Sequence, residues 1–274
     1  MITMKQHIKH GWRLAIKHFY IVILLFLYQL LWGFFLYRFV ESVVVPLLKR
    51  YPDTLPSETA VQLFLMEAQF QIFKTDLIKP YLWILGGLFA ARMLITPLIN
   101  AGLFYSLHHT KDNGGTHFFL GIRRVWKPVL LLYWLETALL LAPAWWLLPR
   151  AFQMLLGTSS LTQLAAEILP FAAGWLAWCG LIHLLFLTMQ FGAVAQTSIF
   201  GSLWRSLRHF LPFVGVSLMM WAIGAGLGLA VSSISLVWAG LLALILHQSY
   251  HLVRTLVKVW TVASQYDVWQ SRQT

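Results

Sequence analysis

Charge is scarce in this chain, and negative charge scarcest. Of 274 residues only 11% are Asp, Glu, Lys or Arg, and only nine are acidic. A soluble domain carries about a quarter charged residues, so the chain is not composed as a soluble globular domain. So few carboxylates offer no convincing paired-carboxylate site. Cysteine is nearly absent too. The single Cys179 lies inside an apolar run, which excludes an internal disulfide and reads as a packing residue. There is no GxxxxGK[ST] phosphate loop, no HExxH and no GxSxG, and "GTSS" at 157–160 has no matching base. No catalytic residue, cofactor or metal is therefore expected, and any ATP hydrolysis would need another subunit.

What the chain has is apolar length. Hydrophobic residues make up 59% and the mean hydropathy is +0.71. A helix spans a bilayer with about 20 mostly apolar residues. Six segments meet this, at about 19–42, 80–106, 128–148, 168–195, 211–231 and 235–258. The expected fold is all-α, a polytopic membrane protein of six transmembrane helices forming one integral membrane domain over 1–274. The first segment follows a basic N-terminus and ends in "FFLYRF" without a small-residue cleavage site, so it reads as a retained span.

The net charge is +11, but the bases gather at the ends of apolar runs. That distribution argues for topology and anionic headgroups, not nucleic acid. With the N-terminus inside, Lys5, Lys9, Arg13, Lys17, Lys111, Arg123, Arg124, Lys127, Arg205, Arg208, Arg254, Lys258 and Arg272 all fall on the inner side. Only Lys49, Arg50, Lys74, Lys79 and Arg150 fall outside. Basic residues mark the cytoplasmic side, so both termini are expected there, in the plasma or inner membrane. Tyr81, Trp83, Trp145, Trp146 and Trp175 mark the outer interface. Trp12, Tyr20, Trp126, Trp204 and Trp260 mark the inner one.

Three phrases repeat a basic, aromatic pattern before a span: "GWRLAIK", "GIRRVWK" and "SLWRSLR". In the first, Met4, Ile8, Trp12, Ala15, Ile16 and Phe19 fall on one helical face beside Lys5, Lys9, Arg13 and Lys17. In the second, Phe118, Phe119, Ile122, Val125 and Trp126 oppose Arg123, Arg124 and Lys127. In the third, Phe200, Leu203, Trp204, Leu207 and Leu211 oppose Arg205 and Arg208. Each is expected to form a short cytoplasmic amphipathic elbow helix, apolar side to the acyl boundary and cations to phosphate. Pro128 and Pro212 are expected to open the following helices. The chain then parses as three elbow-plus-hairpin units, about 1–108, 109–196 and 197–274. The expected partners are a bilayer with anionic headgroups and a membrane protein or a second copy of the chain.

Elbow-plus-span units with a G-x-R phrase, as in "FFLGIRR", resemble poorly characterised polytopic bacterial membrane proteins. They are also similar to the membrane-spanning region of some bacterial glycerophosphodiester phosphodiesterases. The resemblance implies a membrane region alone, because the acidic, His-rich catalytic domain of those enzymes has no counterpart here.

Polar residues inside the spans are Gln29, Arg92, Glu136 and His183, with His247 in the inner half of the last span. Such residues are costly in hydrocarbon and face the bundle interior. Two readings stand: a proton or solute path, or hydrogen bonding between helices. Arg92 and Glu136 fall at comparable depth, and an ion pair between them, or at least a shared hydrated cavity, is expected. His247, His251, Arg254 and Lys258 form one helical stripe, either a vestibule for anions and lipid phosphates or a solvated face. His108, His109 and His117 flank "TKDNGG" and read as a non-metal cluster. Gly224 and Gly228 make a small-residue contact face, within the bundle or to a second copy. The outer segment 43–79 is expected to carry an amphipathic surface helix, with Val61, Phe64, Leu65, Ala68 and Ile72 on one face.

Overall fold

The computed structural model describes residues 4–45, 79–109, 116–157, 161–208, 210–237 and 241–272, together with Leu63 and Met66. Within the expected surface helix of segment 43–79, only Leu63 and Met66 are among the described residues, both helical and exposed, and Val61, Phe64, Leu65, Ala68 and Ile72 lie outside them. Every regular element described is helical: α1 Met4–Lys17, α2 Phe19–Phe39 running into a π turn at Val40–Val44, α3 Lys79–His108, α4 Thr116–Leu141, α5 Ala144–Gly157, α6 Leu161–Val194, α7 Ile199–Arg208, α8 Phe210–Val237 and α9 Leu241–Gln270.

Five stretches among the described residues are long and apolar enough to cross a membrane: Phe19–Ser42, Lys79–His108, His117–Met154, Ala166–Val194 and Phe210–Ser235. The expected sixth, 235–258, is not among them. Helix α9 covers most of it, but His247, Gln248, His251, Arg254 and Lys258 dilute its apolar opening. Only 6–22% of the residues in the apolar windows of the five are buried. Their surfaces are therefore largely exposed Leu, Phe and Trp. A soluble protein would have to cover this surface, whereas a bilayer needs no such cover.

The chain forms two compact units. The first takes Met1–Leu30, Pro97–Tyr133 and Leu184–Thr274, and the second takes Leu31–Thr96 and Trp134–His183. The first holds the apolar core, with Ile21, Val22, Ala101, Val129, Phe191, Val216, Val259 and Ala263 all fully enclosed. Helix α9 is its axis, packed on α1 and α8. Gly11 is what lets α1 approach. A Cβ there would stand 2.2 Å from Ser264 Oγ and 2.7 Å from its Cα. The Trp260 indole N–H donates to the Ile8 carbonyl (2.8 Å) across the same contact. Gly224 and Gly228 face Val257 and the Tyr250 hydroxyl, so this small-residue face is used within the chain, between α8 and α9.

The three phrases fold differently. The first and third are separate helices, α1 and α7. The second lies inside continuous α4, with Pro128 in its interior. The expectation that Pro128 opens a new helix does not hold. Phe118, Val125, Val129 and Leu132 are buried along one side of α4, and this packing carries the helix through the hydrogen bond that proline removes. Pro212 does sit in the first turn of α8, where no partner for its nitrogen is needed.

Helix α6 ends in a left-handed turn. Gln196 has φ of 55°, the Thr197 N–H reaches the Gly192 carbonyl (3.0 Å), and the Gln196 N–H reaches that of Ala193 (3.4 Å). These bonds define a Schellman motif. Ser198 then caps α7, its Oγ accepting from the Gly201 N–H (3.2 Å). Gly192 allows α7 to fold back, since a Cβ there would meet the Ser202 Cβ at 2.6 Å. Ser202 is locked in place, donating to the Thr188 carbonyl (2.9 Å) and accepting from the Trp269 indole (3.0 Å).

The second unit buries few side chains. Among its described residues only Glu136, Ala144 and Ile182 are enclosed. Tryptophans hold it together by a specific device. Pro97 and Pro143 lack the N–H that would bond Met93 and Leu139 four residues earlier. The Trp134 indole donates to the Met93 carbonyl (3.2 Å) and the Trp178 indole to the Leu139 carbonyl (3.1 Å). Trp175 satisfies the neighbouring Leu140 carbonyl (3.0 Å), where α4 ends. Hydrocarbon offers a freed carbonyl no other donor.

Candidate functional site

Three groups of polar side chains stand out. The first is in the second unit, where the His183 ring nitrogen Nδ1 lies 2.6 Å from Glu136 Oε1. Helix α4 places Glu136 and helix α6 places His183. Glu136 is buried at 7% side-chain exposure, while His183 remains 57% exposed. A carboxylate accepting from an imidazole N–H makes a charge-assisted hydrogen bond between the two helices. Arg92 is not its partner: the pair that forms is Glu136 with His183, and Arg92 lies exposed on α3. Depth within a helix is readable from sequence position, but rotation about its axis depends on how the helices pack.

Gln29, on α2 in the first unit, also has a partner. Thr255 Oγ1, 3.0 Å from Gln29 Oε1, donates to it across the α2–α9 contact. The backbone of His247 lies in α9, but its side chain is outside the described residues. His251, Arg254 and Lys258 are all exposed on one side of α9.

The second group was not anticipated. Asp267, on α9, takes two histidines from α1: His7 Nδ1 at 2.7 Å from Oδ2 and His10 Nδ1 at 2.5 Å from Oδ1. His7 is buried and His10 exposed. One signal was present in the sequence, for Asp267 is the sole acidic residue after Glu167. Next to it, Tyr266 is buried with its hydroxyl 2.7 Å from His108 Nδ1. Burial, then the Asp267 charge, pushes the Tyr266 phenol well above its ordinary range.

The third group gathers around the ends of α3 and α4. His109 stacks on Tyr105 at 4.1 Å between ring centres and lies parallel to His117 at 6.0 Å. Arg124 Nη1 donates to the Tyr105 hydroxyl (3.2 Å). The expected cluster of His108, His109 and His117 is thus brought together. Among the described residues no group of three His, Cys, Asp or Glu could hold a metal ion.

Of the inner-face cations, Arg13, Lys17, Arg123, Arg124, Lys127 and Arg208 are exposed. The side chain of Arg205 lies outside the described residues. Helix α1 carries two opposite surfaces. His7, Ile8, Gly11, Leu14 and Ala15 are buried, while Trp12 and Ile16 are exposed and interleave with Lys5, Lys9, Arg13 and Lys17; Phe19 and Tyr20, which open α2, are exposed too. The expected apolar face is therefore divided: Ile8 and Ala15 turn inward, Met4 and Trp12 lie at the border, against Gly215 and edge-on to Trp260 (4.8 Å between ring centres), and Ile16 and Phe19 turn outward. Phe119 (68% exposed) and Trp126 flank Arg123 and Lys127 on α4, and Trp204 (75%) and Leu207 lie near Arg208 on α7.

No family model, no curated protein and no solved structure matches this chain.

Proposed function

We propose that the chain is a six-span protein of the plasma or inner membrane, with both termini cytoplasmic. It acts without catalysis, as an assembly or accessory component whose inner surface binds anionic headgroups and a membrane-protein partner. The observation that carries this reading is the outward side of α1. Ile16 and, at its border, Trp12 stay exposed there beside Lys5, Lys9, Arg13 and Lys17, and Phe19 and Tyr20 stay exposed at the start of α2, although the opposite side of α1 is packed on α9. Exposed aromatics interleaved with cations suit the acyl–headgroup boundary, where rings insert and ammonium or guanidinium groups meet phosphate. The test is reconstitution in nanodiscs of phosphatidylcholine with and without phosphatidylglycerol. The protein should retain phosphatidylglycerol selectively, and a Lys5→Gln, Lys9→Gln, Arg13→Gln variant should lose that selectivity. Equal retention by the variant would sink the reading.

A second reading, a transporter or permease subunit, is favoured by Glu136. It is the one carboxylate buried in the apolar second unit among the described residues, and it is joined to a histidine. Transport predicts a pH-dependent flux that Glu136→Gln abolishes in proteoliposomes. Flux unchanged in that variant leaves the pair as a helix-to-helix contact.

A further inference from the structure

In the first unit His109, His117 and Arg124 gather around Tyr105, and His18 lies near enough to His117 to feel its charge; among the described residues they meet no counter-charge. His18 is the turn residue between α1 and α2, His109 follows the end of α3, and His117 and Arg124 belong to the first turns of α4. The Tyr105 ring ties two of them together, stacking on His109 and accepting from Arg124. His109 uses Nδ1 on the Tyr105 carbonyl (3.2 Å), which leaves its Nε2 for another group. His117 lies parallel to it, 6.0 Å away and 7° from coplanar orientation. Among the described residues none of the four has a carboxylate within ion-pair distance. The nearest acid by sequence on α9, Asp267, is already occupied by His7 and His10.

A second observation points the same way. His18 is only 6% exposed, and its Nε2 is buried with no hydrogen-bond partner among the described residues. Such orphans are costly and call for an explanation. The charged form of His18 is opposed first by burial, then by Lys17, then by His117. An anion there would reverse the last two effects. Metal chemistry is the poorer fit: Arg124 cannot ligate a cation, and no three-ligand group exists among the described residues.

We propose that His18, His109, His117 and Arg124 form a binding site for a phosphate group, supplied either as free phosphate or as a lipid headgroup. Arg124 offers the planar fork suited to phosphate oxygens; His18 and His117 add N–H donors around it, and His109, whose Nδ1 proton is used on the Tyr105 carbonyl, adds one at Nε2 as the imidazolium. The site shares Arg124 with the second elbow and is distinct from the exposed side of α1. Soluble phosphate would satisfy it even if that side bound no lipid.

The experiment uses the full chain in uncharged detergent at one fixed pH. Thermal unfolding is followed with inorganic phosphate, with short-chain phosphatidic acid, and with chloride at equal ionic strength. At least one phosphate probe should raise Tm above chloride. A response to inorganic phosphate identifies a soluble anion, and a response to phosphatidic acid alone identifies a headgroup. Arg124→Gln and His117→Gln should each weaken the responding probe about tenfold, as expected for one lost charge-assisted bond. Lys5→Gln should leave it unchanged. If His117→Gln does not fold, the exposed Arg124 decides alone. Absence of any shift over chloride, or undiminished affinity in Arg124→Gln, overturns the proposal. Retention of the phosphate response in the Lys5→Gln, Lys9→Gln, Arg13→Gln variant separates this site from the lipid-contact reading.

Discussion

At the scale of single residues, prolines set the problem and tryptophans answer it. Pro143 frees the Leu139 carbonyl, and Trp178 supplies the missing donor from α6. Trp178→Phe keeps the ring but removes the N–H. It should destabilise the protein by about 1 kcal/mol, within the usual range for a hydrogen bond lost from a buried or lipid-facing acceptor. The check is a double-mutant cycle with Pro143→Ala. Restoring the backbone donor should make Trp178→Phe nearly neutral, and an unchanged cost would mean that the indole acts by packing alone. Gln196 offers a test of opposite sign. Its left-handed φ of 55° is a position that glycine adopts without strain. Gln196→Gly should raise stability by about 0.5–1 kcal/mol, read as a higher unfolding midpoint, whereas a β-branched residue there should lower it.

At the scale of elements, the helices themselves were legible and their partners were not. The 19–42, 80–106, 168–195 and 211–231 runs became α2, α3, α6 and α8 because apolar length alone specifies a spanning helix. The amphipathic phrase at the N-terminus became α1. Pattern alone did not show that one side of α1 would be claimed by α9, because a basic amphipathic helix reads the same whether lipid or protein covers its apolar side. Glu136, His183 and Gln29 were recognisable as polar residues in apolar runs. Their pairings required knowledge of helix rotation, so Arg92 was matched wrongly. Asp267 was missed because an acid in a cytoplasmic tail reads as solvated until α1 is seen against it.

The contact of α1 and the α1–α2 turn with the rest of the first unit carries a pH signature. Burial lowers the His18 pKa below its ordinary value of about 6.5, so folding favours the neutral ring. That stability is complete above about pH 6.5 and is lost as pH falls from there toward the lowered value. Tyr266 works in the other direction. Its raised pKa means folding favours the neutral phenol, so its contribution holds below about pH 10 and is lost as pH rises further. Thermal unfolding against pH should therefore decline at both ends. His18→Gln should flatten the acid side, and Tyr266→Phe should flatten the alkaline side. A profile unaltered by either variant would remove these groups from the account.

At the scale of the whole molecule, the central question is orientation. The proposed orientation puts Lys5, Arg123, Arg208 and Arg272 on one side, and it requires the chain to cross an even number of times between any two of them. Among the described residues between Arg208 and Arg272, only Phe210–Ser235 is apolar enough to be recognised as a span. Helix α9 must therefore supply the return pass through its opening "LLALIL" and the residues preceding it, or Arg272 lies opposite Arg208. The single Cys179 makes this decidable. In a Cys179→Ser background, single cysteines at residues 5, 123, 208 and 272 are exposed to a membrane-impermeant maleimide in sealed cells and in inside-out vesicles. Six passes predict that all four label only in the vesicles. Labelling of residue 272 alone in sealed cells would reduce the chain to five passes and put α9 outside. Its histidine and arginine stripe would then leave the inner surface. Labelling of residue 123 from outside would reverse the second elbow and remove the basis for an inner anionic surface altogether.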